Sequence, residues 1–258
     1  MPTATAAPKG QLDLTLFVPA FNEDKNIANT LASLSHVLSA YPGKTAEILV
    51  IDDGSTDRTA EIVSRISQSN PSVALLRNGS NLGLGASLRL AIARSAGRQL
   101  LIVPGDNDMP SATIIELIRH SGRADMVMCF FVNRELRGWK RNLLSTLFGL
   151  LYSTSFDIYP QYINGPSIYP VHYLKEMRLI STRFSIVAEI NVKLLRQGVT
   201  FMEVASYRQV GLAGSSSFSL RNLWETGAVF FRLLYEVHVK NPKKYAKRPV
   251  RVIQDSAD

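Results

Sequence analysis

Short apolar runs alternate with segments of helical periodicity along residues 12–103, and this alternation limits the chain to one class of fold. The runs at residues 12–18, 46–51, 73–76 and 99–103 are each followed by a polar or glycine-rich loop. Such runs are typical of buried strands, and the segments between them space apolar residues as an amphipathic helix does. The sequence therefore predicts an α/β fold with a mostly parallel sheet flanked by helices.

Acidic residues follow three of these strands, in the loops at residues 19–23, 52–57 and 104–110. Ligands of an open parallel sheet bind outside the carboxyl ends of its strands, so we expect the three loops to meet at one edge. Asp106 and Asp108 follow Gly105 in an arrangement with which two carboxylates can hold Mg²⁺ or Mn²⁺ against a diphosphate. A solvated turn would use the same residues, because aspartate also favours turns.

The loops after the first two strands also allow two interpretations. Only one residue is needed to cap the helix after Asp52-Asp53, so we expect Asp52 to remain available for a nucleoside. The segment Pro19-Ala20-Phe21-Asn22-Glu23 either lines the same cleft or simply ends a strand and caps a helix. Gly83-Leu84-Gly85 lacks the third glycine of a dinucleotide fingerprint, which excludes a Rossmann dehydrogenase.

The net charge of +8 and the pI near 9.7 indicate an anionic partner, such as a phosphate-bearing substrate or a membrane surface. Nucleic acid is not expected, because aromatic residues are not interleaved with the basic clusters. Cys129 lies in an apolar run, which predicts a buried thiol. No cleavable signal pattern or membrane-spanning apolar run is present, so we expect a cytoplasmic protein, at most peripheral on the cytoplasmic membrane face.

Four motifs together point to a known family. VPAFNE at 18–23, IDDGSTDRT at 51–59, NLGLGAS at 81–87 and PGDND at 104–108 resemble family 2 glycosyltransferases in order and spacing. The arrangement is most similar to the dolichyl-phosphate mannose synthase and polyprenyl-phosphate glycosyltransferase branch, strongly over residues 12–110 and more weakly to about 217. The resemblance implies the GT-A fold, a UDP- or GDP-linked sugar donor, Mg²⁺ or Mn²⁺, and inversion at the anomeric carbon.

The resemblance also implies roles for individual residues. Asp106 and Asp108 are expected to hold the metal and to be catalytic, together with Glu189 and Arg208. Phe21 stands where tyrosine is more usual, and Pro110 replaces a polar residue that helps with the metal in mannose synthases. The residues expected to bind the nucleotide sugar are Pro19, Phe21, Glu23, Asp52, Asp53, Asn81, Gly85 and Asp106.

The expected domain limits follow from the pattern along the chain together with the extent of the resemblance. Residues 1–11 are expected to form a disordered tail, and residues 12–217 to form the GT-A domain, with a nucleotide-sugar half to 124 and an acceptor half from 125. Residues 218–258 add an amphipathic helix and a basic tail. That helix either rests on an anionic bilayer or packs on the core.

The acceptor is expected on the basic segment that precedes a second apolar helix. Arg134, Arg137 and Arg141 come just before the apolar stretch 143–151, a combination that suits the phosphate and the tail of a polyprenyl phosphate but also a solvated turn beside a core helix. A phosphate acceptor is already ionised and needs no strong base, whereas a hydroxyl acceptor would need one, such as Glu189. Transfer to polyprenyl phosphate is the leading hypothesis. The alternatives are transfer to a hydroxyl of a saccharide or small molecule, and a nucleotide-binding regulator without activity.

Overall fold

The computed structural model describes residues 12–133, 136, 138–183, 185–207 and 220–253, without the side chains of Lys140, Arg141 and residues 220–224. The strands are, in chain order, β1 (Leu12–Ala20), β2 (Ala46–Asp52), β3 (Val73–Arg77), β4 (Gly97–Ile102), β5 (Met126–Phe131), β6 (Ser167–Pro170), β7 (Thr200–Ser206) and β8 (Val250–Arg251). The helices are α1 (Ile27–Ser39), α2 (Thr59–Ser69), α3 (Leu84–Arg94), α4 (Ser111–His120), α5 (Trp139–Phe156), α6 (Val171–Lys175), α7 (Ile186–Arg196) and α8 (Leu220–Tyr235), followed by a π-helical turn (Glu236–Lys240).

The chain divides into two compact units, which comprise residues 1–115 with 168–177 and residues 116–167 with 178–258. The first boundary between the units lies between residues 115 and 116. Residues 168–177 return to the first unit because β6 pairs with β4 in antiparallel fashion.

The first unit is built around β1. Its strand order is β3-β2-β1-β4-β6, and β1 pairs in parallel with β2 and with β4. Leu14, Leu16, Phe17 and Val18 are buried. A parallel strand covered on both faces needs apolar residues at successive positions rather than in alternation, which explains the nearly continuous apolar run of this segment.

The second unit contains the parallel strands β5, β7 and β8, in that order. Cys129 is buried in β5, as predicted. Helix α7 is buried along almost its entire length, and α5 contacts α8 through the rings of Tyr152, Phe156 and Phe230. Among the described residues, no helix combines the length and the apolar character that crossing a membrane requires.

Most elements agree with the sequence predictions, and the first four strands begin and end within two residues of the expected positions. The amphipathic helix predicted within residues 218–258 is present as α8, and Val229, Phe230 and Leu233 on one of its faces are buried. Phe231 of the same helix is exposed. The sequence did not indicate β6 or β8, because strands this short show no periodicity.

Gly97 at the start of β4 provides a test of this packing. A Cβ atom there would lie 2.5 Å from the Thr15 backbone nitrogen and 2.6 Å from the Leu14 carbonyl carbon, so β1 and β4 would have to separate. We expect Gly97→Ala to lower the free energy of unfolding by about 3 kcal/mol, as measured by urea denaturation. Gly43→Ala is the matched control, because a Cβ there meets no atom within 4 Å; equal stability of the two variants would contradict the close approach.

Candidate functional site

The loop that follows β4 is in direct contact with the last residues of β1 at the carboxyl end of the sheet. A Cβ atom on Gly105 would lie 2.9 Å from the Pro19 carbonyl oxygen, so only glycine allows this approach without a shift. The Thr30 hydroxyl of α1 donates to the Gly105 carbonyl oxygen at 3.0 Å. Because the chain continues from β1 to β2 on one side and places β4 on the other, the loops after β1 and β4 flank a topological switch point, where α/β sheets bind ligands.

Asp106, Asn107 and Asp108 form a tight turn in the second of these loops. Asn107 has a φ of 59°, in the left-handed region that asparagine tolerates, and the Asp108 N–H donates to Asp106 Oδ1 at 3.1 Å. Asp106 is exposed and Asp108 half-buried. Pro110 is buried, and its carbonyl oxygen accepts hydrogen bonds from the first turn of α4, so this residue starts the helix.

The carboxylates of the turn belong to the class of ligand that hard cations prefer. The described residues contain no group of three or more His, Cys, Asp or Glu side chains that could hold a metal by themselves. Mg²⁺ commonly keeps several waters and binds one or two carboxylates together with phosphate oxygens. The exposed carboxylate of Asp106, two residues from that of Asp108, fits this coordination and would leave the remaining positions to a diphosphate.

A network of hydrogen bonds joins the loop after β1 to the loop after β2. Asn22, with a φ of 56°, donates its N–H to Ser55 Oγ at 2.9 Å and accepts the Thr56 N–H on Oδ1 at 2.9 Å. The Glu23 N–H donates to Thr59 Oγ1 at 2.8 Å. The three strand-end loops therefore meet at one edge of the first unit, as the sequence predicted.

Asp57 strengthens this network as an anion. Partial burial opposes its ionisation, but hydrogen bonds from the Thr59 hydroxyl, the Thr59 N–H and the Asp24 N–H outweigh that effect and lower the pKa of the carboxyl. A lowered pKa means that the stabilisation is fully present above the ordinary value of 3.8 and is lost as the pH falls through the lower folded-state value. The connection between the loops is therefore intact at neutral pH.

Asp52 and Asp53 are both buried, and both are engaged within the protein. Asp52 is 0% exposed; it accepts the Ser55 N–H at 3.1 Å and forms an ion pair with Arg77 at 2.9 Å. Asp53 accepts the Leu82 N–H at 3.1 Å and the Gly83 N–H at 2.7 Å. These contacts place the loop that contains Asn81, and with it the first turn of α3 that contains Gly85, beside the loop after β2.

The remaining residues expected on the nucleotide side lie around the same edge. Phe21 is exposed at 42%, and Pro19 and Glu23 are half-buried. Glu23 accepts a hydrogen bond from the Asn26 side chain at 3.1 Å. Asn81 is exposed, whereas Gly85 is buried in the first turn of α3.

Glu189 lies in α7 of the second unit and is fully buried. Its two carboxylate oxygens accept the N–H groups of Ile180 and Ser181, both at 2.7 Å, and Oε1 lies 2.8 Å from the ammonium group of Lys193. Lys193 is also fully buried and reaches Glu236 at 2.9 Å. A carboxylate held in this way has no exposed oxygen with which to accept a proton from a substrate hydroxyl.

The other expected residues cannot be placed. Arg134, Arg137 and Arg208 lie outside the described residues, and so does the side chain of Arg141.

The sequence did not indicate two residues that support the buried acids. Arg77 is the last residue of β3, and Asn78 directly follows it. Arg77 pairs with Asp52, and the Asn78 amide donates to Asp53 Oδ1 at 2.6 Å. Both are polar residues at the carboxyl end of a parallel strand. The same position indicated the acidic residues after β1, β2 and β4.

The architecture matches that of solved glycosyltransferase structures. The glucosyl-3-phosphoglycerate synthase of Mycobacterium tuberculosis, solved in complex with Mn²⁺, UDP and phosphoglyceric acid, aligns with 87% of this chain and 78% of its own, with a TM-score of 0.58 and 16% sequence identity. The fold is therefore the GT-A fold that the sequence predicted. The chain belongs to glycosyl transferase family 2, whose sequence pattern matches residues 15–179.

Curated relatives cover part of the chain. A dolichyl-phosphate beta-glucosyltransferase of Trichomonas vaginalis is 36% identical over 110 residues, 41% of this chain and 33% of the relative. A dodecaprenyl-phosphate galacturonate synthase of Rhizobium johnstonii is 25% identical over 145 residues, 56% of this chain and 40% of the relative. The chain thus matches well under half the length of either protein.

The buried position of Glu189 can be tested by stability. We expect Glu189→Gln to lower the free energy of unfolding by about 2–3 kcal/mol, because it leaves the buried Lys193 with Glu236 as its remaining charge partner and turns an amide group towards backbone donors. The control is Glu61→Gln, which breaks an exposed pair with Arg65 and should cost less than about 1 kcal/mol. Wild-type stability of Glu189→Gln in urea denaturation would contradict a structural role.

Proposed function

We propose that this protein transfers a sugar, with inversion, from a UDP- or GDP-linked donor to a polyprenyl-phosphate acceptor in a metal-dependent reaction. The observation that carries the proposal is the Asp106-Asn107-Asp108 turn, held at the switch point of the sheet in a chain that belongs to glycosyl transferase family 2. The buried acids Asp52 and Asp53 stabilise the neighbouring loops through hydrogen bonds. Asp106 is exposed to solvent, where a charged ligand can reach it.

The donor would occupy the edge where the three loops meet. Phe21 offers an exposed ring that can stack on a nucleoside base, and Asn81 offers an exposed amide. Asp52, with no exposed surface, would act by fixing the Ser55 turn and the position of Arg77 rather than by touching the nucleoside. Asp53 would act in the same indirect way on the loop that contains Asn81.

Asp106 and Asp108 would hold the cation. Bound Mg²⁺ or Mn²⁺ supplies positive charge that stabilises the departing nucleoside diphosphate. The residues of the chain contribute by position: the Gly105 contact with Pro19 and the Thr30 hydrogen bond fix the turn before any ligand arrives. A site arranged in advance loses less free energy to reorganisation during the reaction.

The state of Glu189 favours a phosphate acceptor over a hydroxyl. A hydroxyl must lose a proton to a base during the reaction, whereas a phosphate monoester is already ionised at neutral pH. Glu189, the acid considered as a base for a hydroxyl acceptor, is buried and engaged by three donors. The relatives named for dolichyl and dodecaprenyl phosphate support the same acceptor class.

The assay that tests this function uses radiolabelled UDP- and GDP-sugars with Mn²⁺ or Mg²⁺ and a short-chain polyprenyl phosphate in detergent. We expect label in the lipid product with one donor base, and none with the corresponding free prenol, which lacks the phosphate. Label transferred instead to a saccharide or to a small hydroxyl-bearing molecule would replace the proposed acceptor. Failure of every donor and acceptor would favour a nucleotide-binding regulator.

The metal role is tested by Asp108→Ala in the same assay. We expect kcat/KM to fall at least about 100-fold, because a carboxylate that holds the cation at the leaving group is removed, while the circular dichroism spectrum stays unchanged. The control is Glu61→Ala on the exposed surface of α2, which should retain wild-type activity. Near-normal transfer by Asp108→Ala would place the cation elsewhere.

A further inference from the structure

Helix α5 carries a row of leucines on its outer face. Leu143, Leu144, Leu147, Leu150 and Leu151 are between 47% and 59% exposed, and their spacing places them on one face of the helix. Together they form an apolar patch on the order of several hundred Å², comparable with the largest patch on a typical monomer. Trp139, in the first turn of the same helix, is 71% exposed.

The opposite face of α5 is already used for packing. Tyr152 and Phe156 are buried and contact Phe230 of α8 at ring-centroid distances of 5.2 and 5.8 Å. The His238 ring stacks on Phe156 and bonds the Ser155 carbonyl oxygen at 2.8 Å. The helix is therefore fixed to its unit by one face, and the leucine row points away from that contact.

The positive charge of the protein is concentrated in the unit that carries this row. The second unit contains 19 of the 29 Lys and Arg residues but only 10 of the 21 Asp and Glu residues, and the first unit contains the other 10 and 11. The first unit is thus nearly neutral. The whole excess of cations belongs to the unit with the exposed leucines.

Some of these cations flank the two ends of α5. Arg134, Arg137, Lys140 and Arg141 stand in sequence just before the leucines. At the other end, Asp157 directly follows the helix and pairs with Arg248 at 3.5 Å. Arg248 lies in a segment with the exposed residues Lys243, Lys244 and Lys247. Exposed leucines and a tryptophan on a helix with cations nearby suit contact with the surface of an anionic membrane.

We propose that the leucine face of α5 docks this protein on an anionic lipid bilayer, with the helix parallel to the surface and the leucines at the boundary between headgroups and acyl chains. A second copy of the chain fits this face less well, because symmetrical pairing would bring two strongly cationic units together. Anionic headgroups would instead attract them. The proposal goes beyond the transfer reaction and does not depend on it.

Flotation of the full chain with vesicles tests the proposal. We expect the protein to float with vesicles that contain about one third phosphatidylglycerol, and much less with pure phosphatidylcholine, because the cations need anionic headgroups. Leu147→Ser/Leu151→Ser should reduce binding to the anionic vesicles at least about tenfold. The matched control is Ile253→Ser, which removes an 82% exposed aliphatic side chain outside α5 and should bind within about twofold of wild type.

Three results would overturn the proposal: wild-type binding by the double variant, equal loss in Ile253→Ser, or no flotation of the wild type with either vesicle. A wild-type dimer in solution that the double variant converts to a monomer would assign the face to a second copy instead. Thermal unfolding of each variant identifies any loss of fold, and Leu143→Ser/Leu150→Ser repeats the test at different positions. Transfer to a detergent-solubilised acceptor is measured in parallel, so failure to bind vesicles is distinguishable from failure of the proposed activity.

Discussion

The parallel pairing of β1 with both β2 and β4 is the constraint on which the candidate site depends. It aligns the carboxyl ends of three strands, so the loops that leave them have to share one small region of the first unit. The Gly105 backbone then contacts Pro19, and Asn22 bonds the residues after β2. Residues more than 80 positions apart in the sequence thus meet because of strand order alone.

The acidic residues at this edge divide into two groups by their surroundings. Asp52 and Asp53 are buried, and each is stabilised by backbone N–H groups together with a side-chain donor. Burying a carboxylate without such partners is very costly, so these bonds are a condition of its burial. Asp106 remains exposed, and its charge is available to a ligand. Asp52 and Asp53 therefore stabilise the loops of the site, whereas the carboxylate of Asp106 is accessible to a ligand.

The second unit shows the same contrast between engaged and available groups. The buried Glu189 and Lys193, with the partly exposed Glu236, form a chain of charges that joins α7 to the π-helical turn. Outside this core, the leucines of α5 and the cations of the C-terminal segment face solvent. The interior charges serve folding, and the exterior apolar and basic residues form the surface that is suited to a lipid bilayer.

The family-like motifs and the strand and helix pattern of the first unit were predictable from the sequence, because periodicity and strand-end loops are local properties. The sequence also predicted the convergence of the loops, and the roles of Asp106 and Asp108 stay predictions. It did not indicate that Glu189 forms an ion pair with Lys193 and accepts hydrogen bonds from two backbone N–H groups. Nor did it indicate that Asp52 pairs with Arg77.

The sequence by itself therefore determined the class of fold, the order of its elements and the acidic residues for which we propose cation binding. Only the tertiary structure decided which acids are engaged, which helix face is exposed and where the units divide. The physical reason is that burial and pairing depend on partners distant along the chain. Asp53 accepts a hydrogen bond from the N–H of Gly83, 30 residues further along the chain. The neighbours that cover one face of α5 come from α8. No local pattern records such contacts.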